Sequence, residues 1–116
     1  MLEIRFYKTE QGRQPVIEYI DELDPNDKAQ IIADFELIKK HGLKDAPVST
    51  KKLQGGGGQF KGKLWELKTG KGNQHRIFYC VIVGTQLVML HACKKQKQGG
   101  QKKDLDTALT RLKKII

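Results

Sequence analysis

Between Leu64 and Cys93 the sequence leaves room for little except three consecutive strands, and no other segment constrains the fold as much. Leu64-Trp65-Glu66-Leu67-Lys68 reads as the first strand, and Gly70-Lys71-Gly72-Asn73 as the turn after it. His75 to Val83 is rich in β-branched and aromatic residues, whose side chains suit a pleated surface. Gly84-Thr85 supplies a two-residue hairpin turn, and Gln86 to Cys93 returns as the third strand. The longest apolar run, Ile77 to Gly84, reads as a buried strand and falls well short of the roughly 20 residues that a membrane span needs.

Upstream, residues 2–8 alternate well enough for a strand, and Gly12 breaks it. Val16, Ile17, Ile20 and Leu23 then share one helical face, with Glu18, Asp21 and Glu22 opposite. Asp24-Pro25 starts a second helix. The Asp side chain accepts from free backbone N–H groups, and proline at the first helical position sacrifices no hydrogen bond. This helix is predicted over 25–41, carrying Ile31, Ile32, Phe35, Leu37 and Ile38. Lys39-Lys40-His41 in its last turn suit the helix dipole, and Gly42 is placed to take a left-handed cap. The two helices are nearly contiguous, which predicts a helical hairpin.

Residues 43–62 are expected to be irregular, since Pro47 and the Gly55–Gly58 run disfavour regular structure. The glycine run lacks a following Lys-Ser/Thr, so it does not read as a phosphate-cradling loop. After a basic stretch from Lys94 to Lys103, the residues Leu105, Ala108, Leu109, Leu112 and Ile115 mark a final helix. The order predicts one α+β domain over 1–116. Its antiparallel sheet combines the N-terminal strand with the three-stranded meander, and helices cover one face.

Lys and Arg number 22 against 13 acidic residues, for a net charge of +9. The pI is near 9.6. Such an excess favours RNA, DNA or an acidic protein as partner without choosing among them, and a solvated lysine-rich surface is the plain alternative. The start, Met-Leu-Glu-Ile-Arg, has no apolar signal region, so a cytoplasmic location is expected. Cys80 and Cys93 fit no Cys-x-x-Cys pattern, which gives a zinc or redox site little support. Neither a metal nor a cofactor is expected.

With Gly84-Thr85 at the turn, Val83 faces Gln86, Cys80 faces Met89 and Arg76 faces Cys93. Arg76, Phe78, Cys80, Ile82, Leu87, Met89, His91 and Cys93 then share a face that continues to Lys95. Cys80 and Cys93 lie roughly 13 Å apart along the ladder, too far for a disulfide. Arg76, His91 and Lys95 gather at one end, and a one-residue slip would scatter them.

RNA cleavage by the substrate's own 2′-hydroxyl needs a proton acceptor, charge stabilisation on the phosphorane and a proton donor to the leaving 5′-oxygen. Arg forks onto phosphate oxygens and keeps its proton. Lys does likewise, and serves as acid or base when neighbouring cations lower its pKa. His titrates in the useful range unaided. Each candidate has a structural alternative. His91 could be a satisfied half-buried residue, and Arg76 could pair with Glu66 on the adjacent strand. His75 flanks a turn and reads as surface. Tyr79, its hydroxyl bonded, and Trp65 read as core.

Three segments together resemble the phage-derived Gp49-like branch of the RelE/HigB toxins: Leu64-Trp65-Glu66-Leu67-Lys68, His75-Arg76-Ile77-Phe78-Tyr79 and Leu90-His91-Ala92-Cys93-Lys94-Lys95, followed by an amphipathic helix. The resemblance implies a RelE-like fold and a toxin of a type II toxin–antitoxin system. It implies an endoribonuclease, or mRNA interferase, that enters the 30S A site and cuts messenger RNA without metal, leaving a 2′,3′-cyclic phosphate. It also implies a helix-turn-helix, HigA-like antitoxin as partner. Carried onto this chain, Arg76 and Lys95 would stabilise the phosphate. Lys94 and Lys68 would bind the RNA backbone or move protons, and His91 would be an optional acid or base. Apart from the resemblance, Lys71 and Lys97 are read as further RNA-binding residues. Lys68 stands where Arg is common in the family. The competing readings are a non-catalytic RNA- or ribosome-binding module of the same fold, and a protein whose basic surface meets an acidic partner.

Overall fold

The computed structural model describes residues 2–53, 63–82, 85–96 and 102–115. Strand β1 is Glu3–Phe6, helix α1 is Pro15–Asp21 and helix α2 is Pro25–Asp45. Strands β2 (Ser49–Lys52), β3 (Leu64–Thr69), β4 (His75–Ile82) and β5 (Gln86–Lys94) follow, with one 3-10 turn at Lys71–Asn73, and helix α3 is Lys102–Ile115.

The signals at the start of α2 act as read, whereas its expected end at 41 does not hold. Asp24 Oδ1 accepts from the Asp27 N–H at 3.0 Å, and Pro25 opens α2. Gly42 has positive φ, but its ψ is extended, and one further turn follows it to Asp45. The apolar stripe differs in one respect. Ile31, Phe35 and Ile38 are buried and Ile32 is exposed, while Asp34 is buried and accepts from Thr69 Oγ1 at 2.6 Å.

The sheet departs from expectation in three ways. Among the described residues it has five strands in the order β1-β5-β4-β3-β2. β1 pairs with β5 in parallel, so the sheet is mixed rather than antiparallel. Composition marks a strand but carries no direction, and the free edge of β5 accepts either polarity. β2 pairs with β3 inside the segment expected to be irregular. Its residues, Ser-Thr-Lys-Lys, have no apolar alternation. An edge strand needs none, and lysines there discourage further pairing.

Helices also cover both faces of the sheet rather than one. Val16, Ile20, Ile31, Phe35 and Ile38 of α1 and α2 pack on Leu67, Ile77, Tyr79, Leu87 and Met89. Ala108 and Leu112 of α3 pack on Leu64, Phe78, Cys80, Val88, Leu90 and Cys93 on the other side. Six consecutive buried residues in β4 record this two-sided burial. Tyr79 is fully buried and stacked on Trp65 at 6.3 Å. Its hydroxyl, expected to be bonded, has no partner at hydrogen-bonding geometry among the described residues.

Arg76 does face Cys93, and His91 faces Phe78. A β-bulge between Phe78 and Tyr79 then shifts the register, so Cys80 faces Val88 rather than Met89, and Ile82 rather than Val83 faces Gln86. Leu87 and Met89 therefore lie on the α1–α2 face and leave the group predicted around Arg76. Neither cysteine is in a disulfide.

Candidate active site

The candidate site forms where β3 ends, β4 begins and β5 ends. Lys68, Arg76 and Cys93 are direct neighbours across these three strands. One row further in, Glu66, Phe78 and His91 are neighbours, with the His91 ring stacked on Phe78 at 6.2 Å. Lys94 pairs with His75 in the ladder, and the Lys95 N–H donates to the Gln74 carbonyl at 2.7 Å, which holds both lysines at this end. Lys71 is exposed in the adjoining turn. The structure thus gathers Lys68, Lys71, Arg76, Lys94 and Lys95 at one end of the sheet. Lys97 lies outside the described residues, as does the Gly55–Gly58 run.

Arg76 is 6% exposed. Its Nη1 donates to the carbonyls of Asn73 and of His75, the latter at 3.2 Å. Glu66 forms no ion pair with it, and no carboxylate partners it among the described residues. Backbone carbonyls orient the guanidinium but leave its charge uncompensated. A buried uncompensated cation is costly, and an arriving anion relieves that cost.

His91 is half-buried beneath α3. Its Nε2 lies 2.7 Å from Asp104 Oδ1, and its Nδ1 lies 3.3 Å from Arg111 Nη1. Guanidinium can only donate, so Nδ1 accepts and Nε2 carries the proton given to Asp104. With α3 in place both ring nitrogens are engaged. Arg111 also donates to the Leu90 carbonyl at 2.8 Å and lies over the Tyr7 ring. His91, Cys93 and Asp104 each present one ligand-type atom, all within 4.8 Å of one another.

Behind the basic end lies a second cluster that the sequence reading missed. His75, expected at the surface, is 4% exposed. Tyr19 Oη lies 2.8 Å from its Nδ1, and Asp27 Oδ2 lies 3.3 Å from its Nε2. Burial, reinforced by the neighbouring Cys93, Asp104 and Asp27, pushes the Tyr19 hydroxyl up to about 12. It therefore stays protonated at neutral pH and donates to Nδ1, leaving the Nε2 proton for Asp27. The Lys71 N–H donates to Asp27 Oδ1 at 2.8 Å, and this bond, with His75 second, holds the Asp27 carboxyl below its usual range. The cluster ties α1, α2 and the 71–73 turn to the start of β4. Gly70 makes room for it, because a Cβ there would meet His75 Cδ2 at 2.5 Å. These partners lie far apart in the chain and share no motif. Asp27 in a first helical turn was the one local hint.

Charge is divided along the chain. Ten of the 13 acidic residues, but only seven of the 22 Lys and Arg, fall within the first 45 residues. The segment carrying β1, α1 and α2 is thus net acidic, and the basic excess belongs to β2 through α3. A polyanion is steered toward the latter.

The family model for phage-derived Gp49-like proteins (DUF891) matches residues 18–113. No curated protein matches the chain.

Proposed function

Because this chain belongs to the phage-derived Gp49-like family, a RelE/HigB-type toxin family, we propose that it is a toxin that cleaves messenger RNA on the ribosome and is silenced by a helix-turn-helix, HigA-like antitoxin. The buried Arg76 guanidinium, held by carbonyls and with no carboxylate partner among the described residues, carries the reading. It is an anion site waiting for a phosphate, with Lys68 beside it on the same face and Lys71, Lys94 and Lys95 at the same end of the sheet.

The reaction proposed is transesterification. The 2′-oxygen attacks phosphorus, its proton passes to a base, and the P–O5′ bond breaks as the 5′-oxygen takes up a proton. The products are a 2′,3′-cyclic phosphate and a 5′-hydroxyl. Arg76 and Lys95 counter the charge that develops on the phosphorane oxygens, the term that usually contributes most. Lys68 and Lys94 hold the flanking backbone and move protons. His91 has both nitrogens committed, which favours a lysine over His91 as proton carrier. Among the described residues no helix is long and apolar enough to cross a membrane.

The test is induced expression in a bacterial host, wild type beside Arg76→Ala, with growth and mRNA 5′-end mapping as readouts. Growth arrest with new cleavage ends inside reading frames, both lost in the variant, is the expected result. Soluble, folded protein that causes no arrest and no new ends would favour the non-catalytic RNA-binding module.

A further inference from the structure

We propose that His91, Cys93 and Asp104 form a binding site for a divalent transition-metal ion of the zinc class, which fastens α3 to β5. His91 and Cys93 are two residues apart near the end of β5, and Asp104 comes from the first turn of α3. Their ligand atoms already lie within 4.8 Å of one another. Zinc takes such ligands at about 2.0–2.3 Å, so binding needs only a small contraction around the ion and a slight opening of the His91–Asp104 contact. Imidazole, thiolate and carboxylate are the donors such ions select, whereas calcium and magnesium take oxygen ligands. Cys93 is buried and the other two are half-buried, which leaves a fourth position for water.

Thiolate and carboxylate together balance a dication, so the loaded site is neutral, and with one proton released its charge rises by one unit on loading. The proton inventory is specific. The Cys93 thiol releases its proton to solvent, and the His91 proton moves from Nε2 to Nδ1. Arg111 then gives up its 3.3 Å contact with Nδ1 and keeps its 2.8 Å bond to the Leu90 carbonyl. This inference does not rest on RNA cleavage, and it is read on the purified protein.

The experiment titrates untagged, metal-stripped protein with Co²⁺ and then Zn²⁺. One equivalent of Co²⁺ should give thiolate-to-metal charge-transfer absorption that Zn²⁺ removes, and Zn²⁺ should raise the melting temperature. Cys93→Ser should abolish the absorption and weaken Zn²⁺ binding more than about 100-fold, beyond the loss typical of outer-sphere partners. Cys80→Ala should keep the absorption, because Cys80 is fully buried in the core. Asp104→Asn retains an oxygen for the His91 N–H but loses the anionic ligand, and should also weaken binding; it decides the matter if Cys93→Ser does not fold. No charge-transfer absorption in the wild type, an unchanged band in Cys93→Ser, or unchanged affinity in Asp104→Asn would overturn the proposal.

Discussion

Replacing Arg76 by methionine separates a functional cation from a structural one. Arg76 is 6% exposed, and among the described residues its partners are two backbone carbonyls. Hydrogen bonds from a charged donor contribute roughly 1.5–3 kcal/mol each. Asn73 is exposed, so its carbonyl regains water when the guanidinium goes. Against this loss stands the desolvated charge itself. Replacing buried ionic groups by apolar ones of similar size is often neutral or stabilising by about 1–4 kcal/mol. The two effects nearly cancel, so Arg76→Met should lie within about 1.5 kcal/mol of wild type in urea unfolding. Cleavage should suffer much more, because losing one preorganised charge-stabilising donor costs roughly 100- to 1,000-fold. The assay pairs urea melts with cleavage of a ribosome-bound message. A loss of about 3–5 kcal/mol, the cost of breaking a compensated buried pair, would make Arg76 structural. Cleavage within tenfold of wild type in a folded variant would remove it from the site.

Gly70→Ala should cost about 2–4 kcal/mol in urea unfolding, because φ is +81° and the new Cβ would meet His75 Cδ2 at 2.5 Å. Thr69→Val removes the donor to buried Asp34 and should cost about 1–3 kcal/mol in the same assay, while a value near zero would mean that water replaces the hydroxyl. The folded Asp27 carboxyl lies below its ordinary value, so its contribution is complete above about pH 4 and is lost as pH falls through the lowered value. Asp27→Asn should therefore be less stable at pH 7 and show a shallower acid-unfolding slope. Tyr19 is shifted upward, to about 12, so its contribution is present below about pH 10 and is lost as pH rises through the folded value. Tyr19→Phe should flatten the alkaline limb of the stability profile.

The strands from Leu64 to Cys93, the Asp24-Pro25 helix start and the grouping of Arg76 with His91 and Lys95 could be read directly from the chain. The first two depend on interactions a few residues long; the third holds because the bulge offsets the one-residue difference at the turn, far from Arg76. The bulge between Phe78 and Tyr79 could not, because it adds one residue without leaving a composition signal. It moved Leu87 and Met89 to the other face but left Arg76 opposite Cys93. β2 was missed because an edge strand of Ser-Thr-Lys-Lys has no face to bury. Covering of both sheet faces was recorded in the unbroken apolar run of β4, but a hairpin alone does not say what covers it.

Element types, the Asp24 cap and the basic excess can be read from the chain alone, as can the family resemblance. These follow from short-range sterics, hydrogen bonding and period. The parallel docking of β1, the Tyr19–His75–Asp27 cluster and the meeting of His91 and Cys93 with Asp104 arise only when the chain folds. Those contacts join distant parts of the chain, and what selects them is burial. Once helices cover both faces, each polar group beneath them must find its partner wherever the packing brings one.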